Sequence, residues 1–520
     1  MSWEQEVAEL SRRKELAAAM GGPEGIAKQR ERGKLTVRER VAQLADPGSF
    51  QETMALVGSA TYAGTHLQSF VPKPQVEGTV RIDGRKVLVK ASDFSVRGGS
   101  GGSVSGLGAE LSTSERAREW RLPLVRLLDA AGGSVRSFEE IGRTYLPDGN
   151  IWTAVDVKLL SQVPVVSAVM GSVAGLPAIL APLSHFSVMV EGMGQLFPGG
   201  PPVVKAALGV DITKEALGGA QIHTRISGCI DNPAATEQDA FAQIRRFLSY
   251  LPSSVHDAAP RGASDVSDDS PQRADDALLS LVPRNRRQPF NARRLIDHLV
   301  DRGSFFEIGP QHGRARITGL ARFNGHPVGL MCNDPLANGG ATDVAAGNKV
   351  IRLIQLCNTF HLPLISLADE PGFQVGLQSE KLGIERAGAR LVSTLCLSEM
   401  PFCTVVIGRL YGVGGQCHHR PSGMLRRFAW PSARWGSMHI SGGVSAAYRR
   451  EIETAPDPAA RQAEIEDRLN AIASPFRTAE ATGQDIIDPR QTRALLCDFV
   501  DDAQRVIASQ RGTPSMPYLP

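Results

Sequence analysis

The chain lacks a marked excess of either charge, with 57 Lys and Arg residues against 54 Asp and Glu residues. This balance argues against a protein that binds nucleic acid or a membrane surface through electrostatics. The chain also has no apolar run of membrane-spanning length, and residues 1–20 form a charged, helical pattern unlike a signal peptide. We therefore expect a cytoplasmic protein that has neither nucleic acid nor a membrane as a partner.

Cysteine is scarce, and its seven positions include no CxxC pair. This spacing argues against a zinc ribbon and is typical of reduced cytosolic thiols. The adjacent residues Cys417, His418 and His419 do not indicate a metal site either. Neighbouring side chains cannot converge on one ion without partners elsewhere, and no paired spacing supplies them. We expect no metal in this chain.

The familiar catalytic motifs are missing as well. The sequence has no GxxxxGK[ST] or strand-bound GxGxxG, which argues against ATP and NAD, and no GxSxG or HExxH. No Ser/His/Asp set can be assembled. A chain without an evident nucleophile or base suits a reaction driven by stabilising a negative oxygen and by the substrates' own groups.

An internal repeat is the most informative feature that the chain does contain. Residues 35–52 (LTVRERVAQLADPGSFQE) match residues 289–307 (PFNARRLIDHLVDRGSFFE), with Val37 on Ala292 at an offset of 255. Three further matches follow in the same order: 80–93 with 320–334, 122–130 with 362–370, and 163–175 with 400–412. Matching order indicates two homologous domains, whose functional sites should lie at corresponding positions.

The pattern within each half predicts the fold class and the domain limits. Short apolar runs alternate with helical stretches, which is typical of an α/β layered domain. The polar segment 253–276 is rich in Pro, Ser and Asp and predicts an interdomain linker. We place the N-terminal domain at 1–258, the linker at 259–288 and the C-terminal domain at 289–520.

Glycine-rich turns at strand ends are the candidate functional sites. Superposing the repeats puts Gly175-Leu176-Pro177 on Gly412-Val413-Gly414. Consecutive N–H groups at a helix start can point at one oxygen and stabilise developing negative charge. A tight turn that only needs small residues is the alternative for either site alone. Further glycine-rich loops would suit close approach of an extended ligand: 97–106, 130–135, 198–202, 217–220 and 439–444.

These segments resemble the carboxyltransferase (β) subunit of biotin-dependent acyl-CoA carboxylases, the propionyl-CoA and methylcrotonyl-CoA carboxylase group. The resemblance runs from about residue 30 to 500 and is carried by these segments: RGKLTVRERVAQLADPGSF (32–50), DFSVRGGS (93–100), FPGGPPVVK (197–205), LGGAQIH (217–223), DEPGF (369–373), FAWPSA (428–433) and DIIDPRQTR (485–493).

The resemblance implies two tandem homologous crotonase-like β/α domains in an oligomer, commonly a hexamer. It places the active site between the N-terminal domain of one subunit and the C-terminal domain of another. Acyl-CoA would bind mainly on the first, and carboxybiotin, on a separate carrier, against the second. The chain has no biotinylation Met-Lys-Met and no likeness to an ATP-grasp domain. Biotin carboxylase and biotin carrier would therefore be other chains.

The resemblance also implies roles for individual residues. Gly175 and Leu176 would hold the thioester oxygen of the acyl-CoA. Val413 and Gly414 would hold the ureido oxygen of biotin. The loop and pocket positions implied for substrate binding are Gly98, Gly99, Gly132, Gly133 and Gln416.

Several positions depart from the family pattern. The usual A-G-G-A is Ala174-Gly175-Leu176-Pro177, and Pro177 has no N–H, so the donors must be residues 175 and 176. The usual Y-G-G-A-Y-D becomes 411–416 and ends in Gln416, which should alter the acyl group accepted. The usual D-G-A-G-A-R loop, here 129–134, lacks its arginine, and DEPGF sets Glu370 beside Asp369. We expect Glu370 to be a surface carboxylate, not a catalytic group.

Three functions fit these observations. The first is transfer of a carboxyl group from carboxybiotin to the α-carbon of an acyl-CoA through an enolate. The second is decarboxylation of a malonyl- or methylmalonyl-type thioester on the same scaffold. The third is a non-catalytic subunit that partners an active paralogue. Pro177 and Val413 favour the third function, whereas the glycine-rich loops retained in both halves argue against it.

Overall fold

The computed structural model describes residues 2–99, 111–133, 135, 138–139, 142–144, 146, 150–262, 269–285 and 288–520. The chain divides into two compact units, Met1–Ser254 and Val255–Leu519. Parts of three predicted segments lie outside the described residues: 100–106 and 134 of the glycine-rich loops, and 263–268 and 286–287 of the linker.

Unit 1 is built on a seven-stranded sheet of order β1-β4-β5-β6-β7-β9-β11, with β2 paired to β3 and β8 to β10. Its strands are β1 Gln51–Thr53, β2 Gly58–Ala63, β3 His66–Pro72, β4 Gln75–Ile82, β5 Arg85–Ser92, β6 Leu124–Leu128, β7 Val165–Val169, β8 Ser172–Ala174, β9 Phe186–Val190, β10 Gln195–Phe197 and β11 Asn232–Ala234. Its helices are α1 Glu4–Ala18, α2 Gly22–Glu31, α3 Val37–Leu44, α4 Thr113–Glu119, α5 Asn150–Leu159, α6 Leu176–Leu180, α7 Pro201–Leu208, α8 Lys214–Gly218 and α9 Glu237–Tyr250, with a 3₁₀ turn at Arg97–Gly99 and a π-helical turn at Gln221–Ile226.

Unit 2 is built on an eight-stranded sheet of order β12-β13-β14-β15-β16-β17-β19, in which β18 also pairs with β16. Its strands are β12 Phe306–Glu307, β13 Arg316–Phe323, β14 His326–Asn333, β15 Leu364–Glu370, β16 Phe402–Tyr411, β17 Leu425–Ala429, β18 Arg434–Gly436 and β19 Asp485–Ile486. Its helices are α10 Leu278–Leu281, α11 Ala292–Leu299, α12 Val344–Thr359, α13 Leu377–Leu382, α14 Ile384–Leu397, α15 Gly412–Gln416, α16 Ile440–Ala447, α17 Arg449–Glu453, α18 Pro458–Ile472, α19 Pro475–Thr482 and α20 Thr492–Gln510, with 3₁₀ turns at Asn338–Gly340 and Pro489–Gln491.

The two sheets repeat the same connections, which confirms the α/β duplication predicted from the sequence. Each begins with an antiparallel ladder, β1-β4-β5 or β12-β13-β14, and continues with parallel strands. Gly78 pairs with Val89 in the first ladder and Gly319 with Leu330 in the second. A Cβ atom on either glycine would lie within 2.3 Å of a backbone oxygen of the edge strand. Glycine is therefore required at the same point of both sheets.

Ion pairs at the sheet edges are duplicated as well. Arg38 donates two hydrogen bonds of 3.0 Å to Glu52, and Arg293 donates two of 2.8 and 2.6 Å to Glu307. These residues belong to the repeated segments that open the two halves. Paired Arg–carboxylate geometry fixes orientation as well as charge, so each pair ties the helix that carries the arginine, α3 or α11, to the edge strand of its sheet.

Carboxylates that bind the hairpin turns are also duplicated in the two units. Asp46 accepts hydrogen bonds from the N–H groups of Asp83 and Gly84, and Asp301 accepts from those of Asn324 and Gly325. Asp301 also binds the buried guanidinium of Arg493 at 2.8 Å. These contacts lie at the hairpin end of each sheet, away from the carboxyl ends of the parallel strands.

The central parallel strands are buried along their whole length, as in β6, β7, β9 and β15. Continuous burial is expected of parallel strands with helices on both faces. Such a sheet presents loops at the carboxyl ends of its strands, where ligands usually bind. Among the described residues, no helix combines the length and apolar character needed to cross a membrane.

Candidate functional site

Two glycine loops meet at the carboxyl ends of β5 and β6 in unit 1. Gly98 and Gly99 have φ values of 68° and 72°, a region that favours glycine. The Ala131 N–H donates to the Gly98 carbonyl at 2.8 Å, and a Cβ on Gly99 would lie 2.7 Å from the Cα of Ala130. The backbones of the two loops are therefore packed directly on each other.

The second of these loops packs against the start of α6. Gly132 is buried with a φ of 79°, and a Cβ there would lie 2.5 Å from the Ala174 oxygen and 3.4 Å from the Gly175 Cα. Gly133 is exposed, with no atom within 4 Å of a Cβ built on it. The structure thus brings four predicted glycines into one cluster and leaves Gly133 at its open side.

The amide donors predicted in unit 1 are only partly free. The Gly175 N–H donates to the Pro198 carbonyl at 3.3 Å. Leu176 begins α6, and its N–H has no acceptor among the described residues. Pro177 has no N–H. Leu176 is therefore the unengaged donor, and Gly175 joins it only if its long hydrogen bond to Pro198 opens.

The corresponding donors in unit 2 are both free. Helix α15 follows β16 directly, and the N–H groups of Val413 and Gly414 in its first turn have no acceptor among the described residues. Gly414 is buried, and a Cβ on it would lie 2.9 Å from the Gly372 Cα and 3.1 Å from the Phe373 nitrogen. The start of α15 therefore packs against residues 371–373, as the start of α6 packs against Gly132.

The loop at residues 371–373 was missed as a functional segment in the sequence. The repeat aligns Gly372 with Gly132, because the match between 122–130 and 362–370 continues into both loops. The Gly372 N–H donates to Glu370 Oε1 at 3.0 Å, which leaves the Phe373 N–H beside Gly414. Extending the repeat alignment by three residues would have found it.

The prediction that Glu370 is a surface carboxylate is wrong, because its side chain is fully buried. It ends β15, between β14 and β16 in the middle of the sheet. Glu370 Oε2 accepts hydrogen bonds from Arg316 Nη1 at 2.7 Å, Thr342 Oγ1 at 2.6 Å and Asn333 Nδ2 at 2.9 Å. A buried carboxylate requires this degree of compensation.

His418 belongs to the same buried group. Its Nδ1 lies 2.7 Å from Ser366 Oγ, and its Nε2 lies 2.9 Å from Arg316 Nη1, which can only donate. Burial and the Arg316 charge lower the pKa of His418 to about 4, so the ring is neutral at pH 7. Burial alone would raise the pKa of Glu370, but its hydrogen-bond donors and Arg316 lower it to about 2. Within the described part of the chain, no cluster of three or more metal-binding side chains is formed.

These pKa values predict acid destabilisation. The folded chain holds His418 neutral down to about pH 4, whereas an unfolded histidine takes up its proton near pH 6.5. Because the unfolded state binds more protons in this window, the free energy of unfolding should fall by roughly 3 kcal/mol between pH 7 and 4. Urea titrations at several pH values measure it. His418→Gln should flatten this slope, and an unchanged slope would contradict the assignment.

A cavity of about 790 Å³ in unit 2 opens beside the first turn of α15. Gly412, Val413 and Gln416 line it, together with apolar side chains of α14, β16 and β18: Val392, Leu395, Leu410 and Trp435. Gln416 is exposed towards this space. The predicted specificity residue and a predicted donor therefore share one cavity.

A second cavity of about 720 Å³ in unit 2 lies over the turn that matches Gly98–Gly99. This turn contains Gly339 and Gly340, with φ values of 62° and 86°. Gly339, Asp369 and Arg409 line the cavity. Unit 2 therefore keeps the glycine loop of the repeat next to open space.

Comparison with known proteins extends these observations. Residues 28–505 match the model of the carboxyl transferase domain family. The chain is 33% identical over 519 residues to the propionyl-CoA carboxylase carboxyltransferase subunit of Haloferax mediterranei, covering 98% of each chain. It is 32% identical to the methylmalonyl-CoA decarboxylase subunit alpha of Veillonella parvula, covering 95% of this chain and 94% of that one. The transcarboxylase 12S structure with methylmalonyl-CoA and methylmalonic acid bound superposes with a TM-score of 0.85 at 30% identity, covering 99% of this chain and 97% of that one.

Proposed function

The chain belongs to the carboxyl transferase domain family and has two tandem homologous crotonase-like domains, as the family resemblance implied, and we propose that it carboxylates an acyl-CoA at the α-carbon. It is an enzyme of the biotin-dependent acyl-CoA carboxyltransferase class. One observation carries the proposal. In each unit the start of a short helix that carries amide donors packs against a glycine of a neighbouring loop: Gly175, which precedes Leu176, packs against Gly132, and Gly414 packs against Gly372.

In unit 1 the proposal assigns the thioester to the glycine cluster. The Leu176 N–H would donate to the thioester oxygen, joined by Gly175 after it leaves Pro198. Removing the α-proton places negative charge on that oxygen, and fixed N–H donors stabilise the enolate without reorganising. All four loop glycines, Gly98, Gly99, Gly132 and Gly133, would belong to the site for the CoA moiety. Close backbone packing requires glycine at positions 99 and 132, whereas Gly98 and Gly133 would leave the backbone accessible to the CoA.

In unit 2 the proposal assigns biotin to the start of α15. The fit rests on the N–H groups of Val413 and Gly414, which have no acceptor in the part of the chain that the structure describes, and on the cavity of about 790 Å³ beside them. Carboxybiotin would supply CO2 and, after its release, a basic ureido nitrogen that takes the α-proton. The two N–H groups would stabilise the negative charge that develops on the ureido oxygen. No side-chain base is required.

The proposal includes partners and assembly. The similar transcarboxylase 12S is described as a hexamer. We propose that this chain forms a homo-oligomer, such as a hexamer, in the cytoplasm and works with a biotin carboxylase and a biotin carrier on other chains. Exposed apolar side chains in both units support an assembly that covers them: Leu176, Ile179, Val203 and Leu208 in unit 1, and Val375, Leu377, Leu382 and Val413 in unit 2.

A decarboxylase is the second candidate, favoured by the similarity to methylmalonyl-CoA decarboxylase subunit alpha. The same donors would stabilise the enolate left when a malonyl- or methylmalonyl-type thioester loses CO2. A non-catalytic subunit is the third candidate, favoured by the engagement of the Gly175 N–H with Pro198. In that case activity would appear only when an active paralogue is added.

One assay separates the three candidates. The chain is incubated with a panel of acyl-CoA thioesters, with and without a carboxylated biotin carrier, and CO2 gain or loss is measured. Carrier-dependent carboxylation of one thioester is the expected result. CO2 loss from a malonyl-type thioester at the same rate without biotin would favour the decarboxylase. Activity that depends on an added paralogue would favour the non-catalytic subunit.

Gln416 is predicted to select the acyl group, because carboxyl transfer requires the acyl α-carbon to approach biotin and Gln416 lines the cavity beside Val413, where biotin is proposed to bind. Gln416→Asp restores the charge usual in the family and should change the ratio of kcat/KM between a short and a branched acyl-CoA by about tenfold. Gln272→Asp, at an exposed glutamine of the same unit, is the control. If the two variants had equal ratios of kcat/KM, Gln416 would not be part of the acyl site.

A further inference from the structure

The buried carboxylate of Glu370 anchors the loop at residues 371–373, against which Gly414 of α15 packs. Glu370 Oε1 accepts from the Gly372 N–H at 3.0 Å and so holds the loop at residues 371–373. Glu370 Oε2 binds Arg316, Thr342 and Asn333, which lie at the ends of β13 and β14 and in the loop before α12. The loop under α15 is therefore anchored through a side chain with no remaining freedom.

The same network reaches the other end of α15. Arg316 Nη1 contacts both Glu370 and His418, and His418 lies two residues beyond Gln416, the last residue of the helix. The His418 ring is held by Ser366 through Nδ1, and its carbonyl accepts a hydrogen bond from Thr404 Oγ1. Glu370, Arg316 and His418 thus connect the loop at one end of the helix to the chain that leaves the other end.

The network is absent from the matching places in unit 1. The repeat aligns Arg316 with Gln75, Glu370 with Ala130, and His418 with Ala181. Both units nevertheless form the same strands and the same short helix. The fold therefore does not require these three residues, and their presence in unit 2 needs another explanation.

The energetics of buried ion pairs also argue against a role for these residues in stabilising the fold. A buried ion pair contributes little net stability compared with apolar residues of similar volume, whereas removing one partner is strongly destabilising. Arg316 and Glu370 are both fully buried, and Arg316 Nη1 lies 2.7 Å from Glu370 Oε2. Such a pair is better suited to fixing one arrangement of its neighbours than to stabilising the fold.

We propose that Glu370 is a positioning residue that, through Arg316 and His418, fixes α15 on residues 371–373 so that the N–H groups of Val413 and Gly414 converge on one oxygen. The inference rests on the proposed function, which makes that oxygen the ureido oxygen of biotin. Glu370 does not touch the substrate. Its effect should appear in kcat and in the dynamics of α15, not in KM for the acyl-CoA.

The test compares Glu370→Gln with Asp301→Asn in the full chain. Asp301 is a matched control because it also binds a buried arginine, Arg493, and two backbone N–H groups, but at the hairpin end of the sheet. Transfer of a carboxyl group from a carboxylated acyl-CoA to free biotin gives kcat and KM. Hydrogen exchange of the peptide covering 412–418 reports on α15 without requiring activity.

Glu370→Gln should lower kcat about 100-fold, as the loss of an oxyanion donor does, with KM for the acyl-CoA within about twofold. Exchange at 412–418 should become about tenfold faster, and Asp301→Asn should change neither. Unchanged exchange at 412–418, or a kcat equal to that of Asp301→Asn, would overturn the proposal. A wild-type chain without transfer would count against the proposed function, while the exchange measurement would still decide the role of Glu370.

A milder variant covers the case in which Glu370→Gln does not fold. Ser366→Ala removes the partner of His418 Nδ1 and leaves the pair of Arg316 and Glu370 in place. It should speed exchange at 412–418 and lower kcat about tenfold. Exchange at the wild-type rate in Ser366→Ala would overturn the proposal equally.

Discussion

Replacing Gly414 with alanine should lower carboxyl transfer about 100-fold or more. The new Cβ would lie 2.9 Å from the Gly372 Cα, 3.0 Å from its carbonyl carbon and 3.1 Å from the Phe373 nitrogen. All three are backbone atoms, so no side-chain rotation relieves the contact. The start of α15 must move off residues 371–373 and carry the N–H groups of Val413 and Gly414 with it. Transfer of carboxyl from a carboxylated acyl-CoA to free biotin measures the loss.

Gly442→Ala is the matched control. Gly442 belongs to the segment 439–444, which the sequence suggested as a glycine-rich ligand loop but which forms the start of helix α16 instead, and a Cβ built on Gly442 meets no atom within 4 Å. Alanine there should leave transfer unchanged and stabilise the helix by about 0.5–1 kcal/mol. If Gly414→Ala retained the activity of Gly442→Ala, the start of α15 would not be the biotin-side donor site.

Replacing Gly132 with alanine should lower kcat/KM for the acyl-CoA about 100-fold. Its Cβ would lie 2.5 Å from the Ala174 oxygen and 3.4 Å from the Gly175 Cα. The loop and the start of α6 must separate, which moves the Leu176 N–H away from the position proposed for the thioester oxygen. Alanine at a φ of 79° adds a backbone cost of about 1–2 kcal/mol.

Gly84→Ala separates that backbone cost from the contact. Gly84 has a φ of 78°, almost equal to that of Gly132, but a Cβ there meets no atom within 4 Å. Gly84→Ala should therefore lose a similar amount of stability and keep its kcat/KM. If the two variants had equal kcat/KM, the contact between Gly132 and α6 would have no part in binding the thioester.

The duplication could be predicted from the sequence because the same segments recur in the same order in both halves, and detecting this similarity requires no knowledge of their contacts. Asp46 and Asp301 bind the hairpin turns at matching places, and Gly78 and Gly319 face a backbone oxygen of the edge strand at matching points of the two sheets. Matching the segments in order therefore predicts two sheets of one topology, and the candidate donors at α6 and α15 follow from the same alignment.

Long-range contacts could not be predicted in this way. Glu370 is buried by partners 28 to 54 residues away, and none of them belongs to a recognisable motif. The Gly175 N–H donates a hydrogen bond to the carbonyl of Pro198, a residue of a different loop. Burial and the engagement of an amide depend on how distant strands are ordered in the sheet. A single sequence does not reveal that order.

The most direct test of the account is a single turnover without ATP or a biotin carboxylase. A thioester labelled at its transferable carboxyl group is mixed with the purified chain and excess biotin carrier, and the label on the carrier is followed over time. Label should appear on the carrier, at a rate that both Gly414→Ala and Gly132→Ala reduce. Release of the label as CO2 at a rate independent of the carrier, with none on biotin, would contradict it.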